Sequence, residues 1–280
     1  MSNWFITGCS AGLGRALAER ALHAGHSVAL TARDPRTLEP LVQSFTGRAI
    51  GLQLDVRDHH RAVEAIDEAS TALGPIDVLV NNAGHGYRAA IEEGELDRVR
   101  DLFETNFLGP ISLVQAVLPH MRERQSGTIV NVSSTAGFTA AAGSGFYAAS
   151  KAALELASDA LRAEVEPLGI KVIVVQPGGF RTEFAGRSLQ QSESSISAYA
   201  ETAGRRRKET DSTHGTQPGD PERAASVLVE LVDSAQAPSR ILLGSDAVQL
   251  GQEQAHTRLS DIQEWADTSI STDIVPSSSN

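Results

Sequence analysis

The chain is predicted to be an α/β protein of the doubly wound kind, with about seven parallel strands and helices on both faces. Short apolar or β-branched runs alternate with longer helical patterns, and parallel neighbours need crossovers of that length. A glycine-rich turn joins the first strand pattern to the first helical one, as such folds require for a ligand crevice. The strand runs are 4–7, 28–32, 49–53, 78–81, 128–132, 171–176 and 241–243. Helical patterns fill 12–24, 35–43, 58–73, 95–122, 147–167 and 221–234. Asp34 is placed to cap the helix that opens at Pro35. Pro110, after Gly109, is expected to split or kink the long fourth pattern. The stretch 184–219 breaks the rhythm. It is polar and carries Arg205-Arg206-Arg207-Lys208, so it is expected to be a substrate lid or a disordered excursion, with the basic run a solvated helix face. One more helix is expected over 246–267, and 276–280 reads as a frayed end.

Composition sets the outer bounds. With 280 residues, 41% hydrophobic content and 24 glycines against 11 prolines, one large domain spanning 1–280 is expected, its C-terminal helix and tail starting near 245. A net charge of −11 argues against nucleic acid or an anionic membrane as partner. Cys9 is the only cysteine, so no intrachain disulfide can form; a cytoplasmic setting is expected, with Cys9 filling a tight turn. No basic start followed by a long apolar run is seen, nor any stretch long enough to span a bilayer.

The strongest chemical signal is Tyr147 four residues before Lys151, with Ser134 thirteen residues before the tyrosine. The chain holds three tyrosines and three lysines, so a chance Tyr-x-x-x-Lys is expected only about 0.03 times. On a helix this spacing puts both side chains on one face, where an ammonium beside a phenol favours the ionised form and makes it a proton exchanger. The turn Thr7-Gly8-Cys9-Ser10-Ala11-Gly12-Leu13-Gly14 follows a strand and opens a helix. Glycine lets backbone approach a pyrophosphate, and the helix end offers free N–H groups and a positive dipole.

These residues, with Asn81-Asn82-Ala83-Gly84, Asn106 and Pro177-Gly178 through Thr182, fall in the order of the short-chain dehydrogenase/reductase family, and the match extends along residues 3–182. The chain resembles its compact single-domain branch. The resemblance implies a Rossmann-type sheet and hydride transfer between a nicotinamide cofactor and an alcohol or carbonyl carbon. Tyr147 would then be general acid in reduction and base in oxidation. Lys151 would tune the phenol and hold the nicotinamide ribose, and Ser134, favoured over Ser133, would stabilise charge on the substrate oxygen. Asn106 would anchor a water relaying protons to Lys151; its competing reading is a buried amide that caps backbone groups. Around the cofactor the resemblance places Gly8, Ser10, Gly12, Leu13, Gly14, Asn82, Ala83 and Gly84. Asp55 and Val56 would meet the adenine, Thr182 with the backbone near Gly179 and Phe180 would hold the carboxamide, and Pro177 and Gly178 would also line the cofactor.

NADP(H) is favoured over NAD(H). Ala32 leaves room at the end of the second strand, and Arg33 offers a planar donor pair to a 2′-phosphate where an NAD enzyme would place an acid. The competing role for Arg33 is a salt bridge to Asp34. Ala11 departs from the basic residue that many NADP-dependent relatives carry there.

His59 and His60 point apart and lack a third ligand, so no metal site is expected. His85 and Tyr87 line the pocket or pack the turn. Phe138, Ala140 to Ala142, Phe146, Phe184, Leu189 and Tyr199 would form an apolar wall around the substrate. The whole predicts an NADP(H)-dependent oxidoreductase for a secondary alcohol or ketone with a hydrophobic body, assembled as a homodimer or homotetramer. The alternatives are an epimerase or dehydratase of the same family, whose glycine spacing usually differs, and a silent dinucleotide-binding regulator, which would tend to lose Tyr147 or Lys151.

Overall fold

The computed structural model describes residues 1–186, 188–212 and 215–274, and the expected frayed end at 276–280 lies outside them. The strands among the described residues are β1 (Asn3–Ile6), β2 (Ser27–Ala32), β3 (Ala49–Gln53), β4 (Val78–Asn81), β5 (Gly86–Arg88), β6 (Gly127–Val132), β7 (Ile170–Pro177), β8 (Leu189–Gln191) and β9 (Arg240–Leu243). Seven of them form one parallel sheet in the order β3-β2-β1-β4-β6-β7-β9, as the alternating pattern predicts. The chain steps outward from β1 to β3 and then restarts at β4 on the other side of β1. That reversal opens a crevice beyond the carboxyl ends of β1 and β4, where ligands bind in such sheets.

The helices are α1 (Gly12–His23), α2 (Glu39–Ser44), α3 (His59–Leu73), α4 (Leu96–Phe103), α5 (Gly109–Arg124), α6 (Gly145–Val165), α7 (Arg205–Ser212), α8 (Pro221–Asp233), α9 (Ser245–Glu264) and α10 (Ala266–Ile270). Successive strand residues face opposite sides of a sheet. Trp4 and Ile6 therefore join Val80 and Ile173 under Leu17 and Leu22 of α1 and Leu228 of α8. Phe5, Leu79 and Ile129 join Ile66 of α3, Leu113 of α5 and Val165 of α6 on the other side. Both faces are covered, which is why the strands read as unbroken apolar runs.

Two local departures matter for the site. The long fourth pattern is divided into α4, a π-helical turn at Glu104–Leu108 and α5, with Pro110 in the first turn of α5, where its missing N–H costs nothing. The π turn carries Asn106 inward to 0% exposure. The second departure lies within 184–219, the stretch expected to be a substrate lid or a disordered excursion. β8 pairs in parallel with β5, setting Gly86 opposite Leu189, and the chain continues through a π turn at Ala200–Gly204 into α7. The basic run is not simply a solvated face. Arg205 and Arg206 are exposed, but the Arg207 guanidinium pairs with the buried Glu93 and donates to Ser192 Oγ at 3.0 Å. Glu93 also accepts from the backbone N–H of Ala90 at 3.0 Å and of Ile196 at 2.8 Å. The excursion is thus tied to the loop that follows the Asn81–Gly84 turn.

Candidate active site

The carboxyl ends of four strands supply the crevice. Gly8 and Gly12 hold φ of +73° and +61°, and a Cβ on them would lie 3.0 Å from the Ala83 Cα and 3.2 Å from the Thr182 Cβ. Gly14 packs directly on the Asn82 side chain. Those contacts need glycine, and they bring the ends of β1, β4 and β7 together. Thr7 Oγ1 accepts from the N–H of Asn82 and of Ala83, both at 2.9 Å, and Asn82 Nδ2 donates to the Thr7 carbonyl at 2.8 Å. Ser10, Ala11 and Leu13 complete the turn. Ala11 caps α1 without a side-chain hydrogen bond and no acid occupies the first turn, so the N–H groups and the positive end of the dipole are left for an anion. Cys9 in that turn is buried and donates to the Ile6 carbonyl at 3.1 Å; burial pushes its thiol up to about 12, which removes it as a nucleophile.

Arg33 is exposed at the end of β2, beside the buried Ala32. Its competing role falls away, because Arg36 takes the Asp34 carboxylate at 2.8 Å and Arg57 takes that of Asp55 at 2.7 Å. Asp34 also caps the turn at Pro35–Leu38 by accepting from the Arg36 N–H at 3.1 Å, as the sequence predicts. The Arg57 hydrogen bonds hold Asp55 below the usual carboxylate range. Val56 is buried against Gly109.

Helix α6 carries Tyr147 and Lys151 on one face. Tyr147 is half-buried, with its ring centroid 5.7 Å from that of Phe184. Burial pushes the phenol up to about 12, and the nearby Ser134 hydroxyl pulls against that rise. Lys151 Nζ lies 6.0 Å from the Tyr147 ring centroid and donates to the Val132 carbonyl at 2.8 Å, because that carbonyl is the acceptor its buried position offers. Burial brings Lys151 down to about 8, with Glu155 opposing. Ser134 caps the turn at Thr135–Gly137, while Ser133 is buried and donates to Glu155 Oε1 at 2.6 Å. That bond leaves Ser134 as the hydroxyl at the phenol.

Asn106 displays the backbone-capping arrangement. Its Oδ1 accepts from the His85 N–H at 3.0 Å, and its Nδ2 donates to the His85 carbonyl at 2.9 Å and to Ser150 Oγ at 3.1 Å. A Cβ on Gly84 would sit 3.1 Å from Asn106 Oδ1 and 3.5 Å from Lys151 Nζ, so this glycine lets the two groups face the same spot. His85 is lowered by burial and then by Arg33 and Arg57, which marks it as an imidazole at the edge of the crevice.

The loop after β7 depends on a residue absent from the sequence reading. Asp246, in the first turn of α9, accepts from the Gly179 N–H at 2.7 Å and packs against Gly178, where a Cβ would collide with its carboxylate. Gly178 N–H donates to the Leu243 carbonyl at 2.9 Å. Pro177 ends β7, Phe180 bridges to Gly219, and Thr182 accepts from the Phe184 N–H at 3.3 Å while its Cβ lies over Gly12. Of the expected apolar wall, Phe184 and Leu189 stand near Gly86 and the phenol, whereas Ala140 to Ala142 are exposed or at the rim and Phe146 packs on Gly94 and Tyr87. Tyr199 turns to Glu92, to which it donates at 2.6 Å. His59 and His60 face Glu104 at 3.5 Å and Glu64 at 3.2 Å, and no metal-binding group of three or more His, Cys, Asp or Glu occurs among the described residues.

Comparison with known proteins matches this arrangement to one family. The family model described as short chain dehydrogenase covers residues 3–193. A crystal structure of a short-chain dehydrogenase from Streptomyces avermitilis is 42% identical with a TM-score of 0.91, covering 97% of this chain and 98% of that one. Oxidoreductase BOA17 of Botryotinia fuckeliana is 36% identical over 268 residues, 95% of this chain and 97% of the relative. A closed form of serine dehydrogenase complexed with NADP+ is 26% identical with a TM-score of 0.74, covering 86% of this chain and 94% of that one.

Proposed function

Because the chain belongs to the short-chain dehydrogenase family of oxidoreductases, we propose that it moves a hydride between NADP(H) and the carbinol or carbonyl carbon of a secondary alcohol or ketone with a hydrophobic body. The observation that carries this reading is Tyr147 one helical turn from the buried Lys151 on α6, beside a crevice whose glycines leave no room for a Cβ. The cradle fits a dinucleotide. Gly8, Ser10, Gly12, Leu13 and Gly14 would bring backbone N–H groups to its pyrophosphate, and Asn82, Ala83 and Gly84 would line the cofactor between them and Lys151. Asp55 and Val56 would meet the adenine, Arg33 the 2′-phosphate, and Pro177, Gly178, Phe180 and Thr182 the carboxamide. The bound cofactor supplies or accepts the hydride.

The remaining work belongs to the chain's own groups. In reduction the Tyr147 hydroxyl gives its proton to the carbonyl oxygen, for which a phenol protonated at neutral pH is suited. The Ser134 hydroxyl donates to the same oxygen as negative charge grows there. Lys151 holds the nicotinamide ribose and, brought nearer the phenol, lowers its pKa for the oxidative direction. Asn106 keeps His85 and the Gly84 turn fixed beside Lys151. Phe184 and Leu189 favour an apolar substrate body next to the phenol. The NADP+ complex of the serine dehydrogenase supports the cofactor choice. Loss of NADPH absorbance with a panel of aryl ketones, hydroxysteroid-type ketones and aliphatic ketones tests the reading. NADPH binding with no turnover across that panel, or its reverse with the alcohols, would favour a silent dinucleotide-binding protein.

A further inference from the structure

Glu155 takes no part in the chemistry above, yet it sits at the centre of the site's supports. It lies one turn beyond Lys151 on α6, at 5% exposure. Its carboxylate accepts from Ser133 Oγ at 2.6 Å and from Gln176 Nε2 at 2.7 Å, and Arg240 Nε approaches to 3.6 Å. These partners come from the ends of β6, β7 and β9. Ser133 immediately precedes Ser134, and Gln176 immediately precedes Pro177. A Cβ on Gly137 would run into the same carboxylate, so the turn capped by Ser134 is also built around it. A buried carboxylate needs such partners to offset its desolvation, and a fold with no use for its charge can replace the cluster with apolar packing.

We propose that Glu155 is a positioning residue for the hydride-transfer reaction: it fixes the ends of β6 and β7 against α6, setting Ser134 and the Pro177 loop beside Tyr147, and it places a carboxylate one helical turn from the buried Lys151. The inference rests on the proposed roles of Tyr147 and Lys151. Burial works against the ammonium, and Glu155 is the group that opposes it. The other titratable groups in the neighbourhood are Arg240, whose far side is held by Asp159 at 2.9 Å, His85, whose charged form burial disfavours, and the Tyr147 phenol, 6.0 Å from Lys151 Nζ at its ring centroid. Ser133 and Gln176 contribute no charge.

The chain has three lysines, so the titration of Lys151 can be followed by NMR on protein labelled at lysine Cε, with Lys151→Arg giving the assignment. Glu155→Gln keeps the shape and removes the charge. It should move the Lys151 titration down by roughly 1 pH unit, with the alkaline limb of ketone reduction following. Arg240→Gln, at a side chain 38% exposed, should move it up, because it frees the carboxylate to act on Lys151. Ser133→Ala should lower kcat without moving the titration. A Lys151 titration unmoved in both charge variants, or a Ser133→Ala enzyme with parental kcat, would overturn the proposal. Should Glu155→Gln fail to fold, Arg240→Gln and Ser133→Ala still decide. Tyr147→Phe, assayed in parallel, reports separately on the underlying reading, since its turnover does not depend on where Lys151 titrates.

Discussion

Tyr147 is held between two opposing influences, burial that keeps its proton and the Ser134 hydroxyl that favours losing it. Replacement by phenylalanine removes the transferable proton but leaves the ring against Phe184, so Tyr147→Phe should lose at least about 100-fold in kcat while NADPH affinity in a fluorescence titration stays near that of the parent. Ample turnover would remove the mechanism. Arg33 offers a second test at this scale. Its exposed guanidinium has no carboxylate within ion-pairing distance among the described residues, so Arg33→Ala should weaken NADPH roughly 10- to 100-fold and barely affect NADH. The pair Ala32→Asp with Arg33→Ala should turn preference toward NADH by adding an acceptor for the 2′-hydroxyl and repelling the phosphate. Calorimetric affinities for both cofactors check this, and an unchanged NADPH-to-NADH ratio would count against NADP. Such residues were legible because local spacing carries them: a four-residue step on one helix, a glycine turn after one strand. Asp246 was not, since it meets Gly179 across 67 residues and its own neighbourhood, Gly244-Ser245-Asp246, reads only as a helix start.

At the scale of elements, the seven sheet strands were legible because burial on both faces leaves each an apolar run. β5 and β8 were not. Each is three residues long, too short for a period to show, and each is a strand only because the other lies beside it. The same dependence explains α7: its sequence Arg-Arg-Arg-Lys-Glu-Thr-Asp-Ser offers no apolar face, and its Arg207 is held by distant groups, Glu93, Ser192 and Arg88. Breaking a buried pair by removing one partner costs about 3–5 kcal/mol, enough to release a segment this polar. Glu93→Gln should therefore make the Arg205 to Lys208 run an early target of limited tryptic digestion, while the parent resists there and the main sheet keeps its melting temperature. Equal cleavage of the two proteins would show that the pair does not hold the excursion.

At the scale of the whole molecule, the expected dimer or tetramer would use the faces of α5 and α6, where Leu156 is 71% exposed. Leu259 and Ile262 of α9, Trp265 between the two helices and Ile270 of α10 are also more than half exposed. A species of twice or four times the monomer mass in light scattering at micromolar concentration is expected, and a pure monomer would contradict it. The tie between Glu93 and Arg207 has a consequence for timing. The two residues are 114 apart in the chain, and the segment they close passes beside the phenol through Phe184. If product leaves by parting that contact, release and not chemistry sets the ceiling on turnover. Ketones of very different intrinsic reactivity would then share one maximal rate, that rate would fall with added viscogen, and Glu93→Gln would lift it while raising KM. Rates that instead follow carbonyl reactivity and ignore viscosity would place the slow step at the hydride, and the clock of this enzyme would be its chemistry.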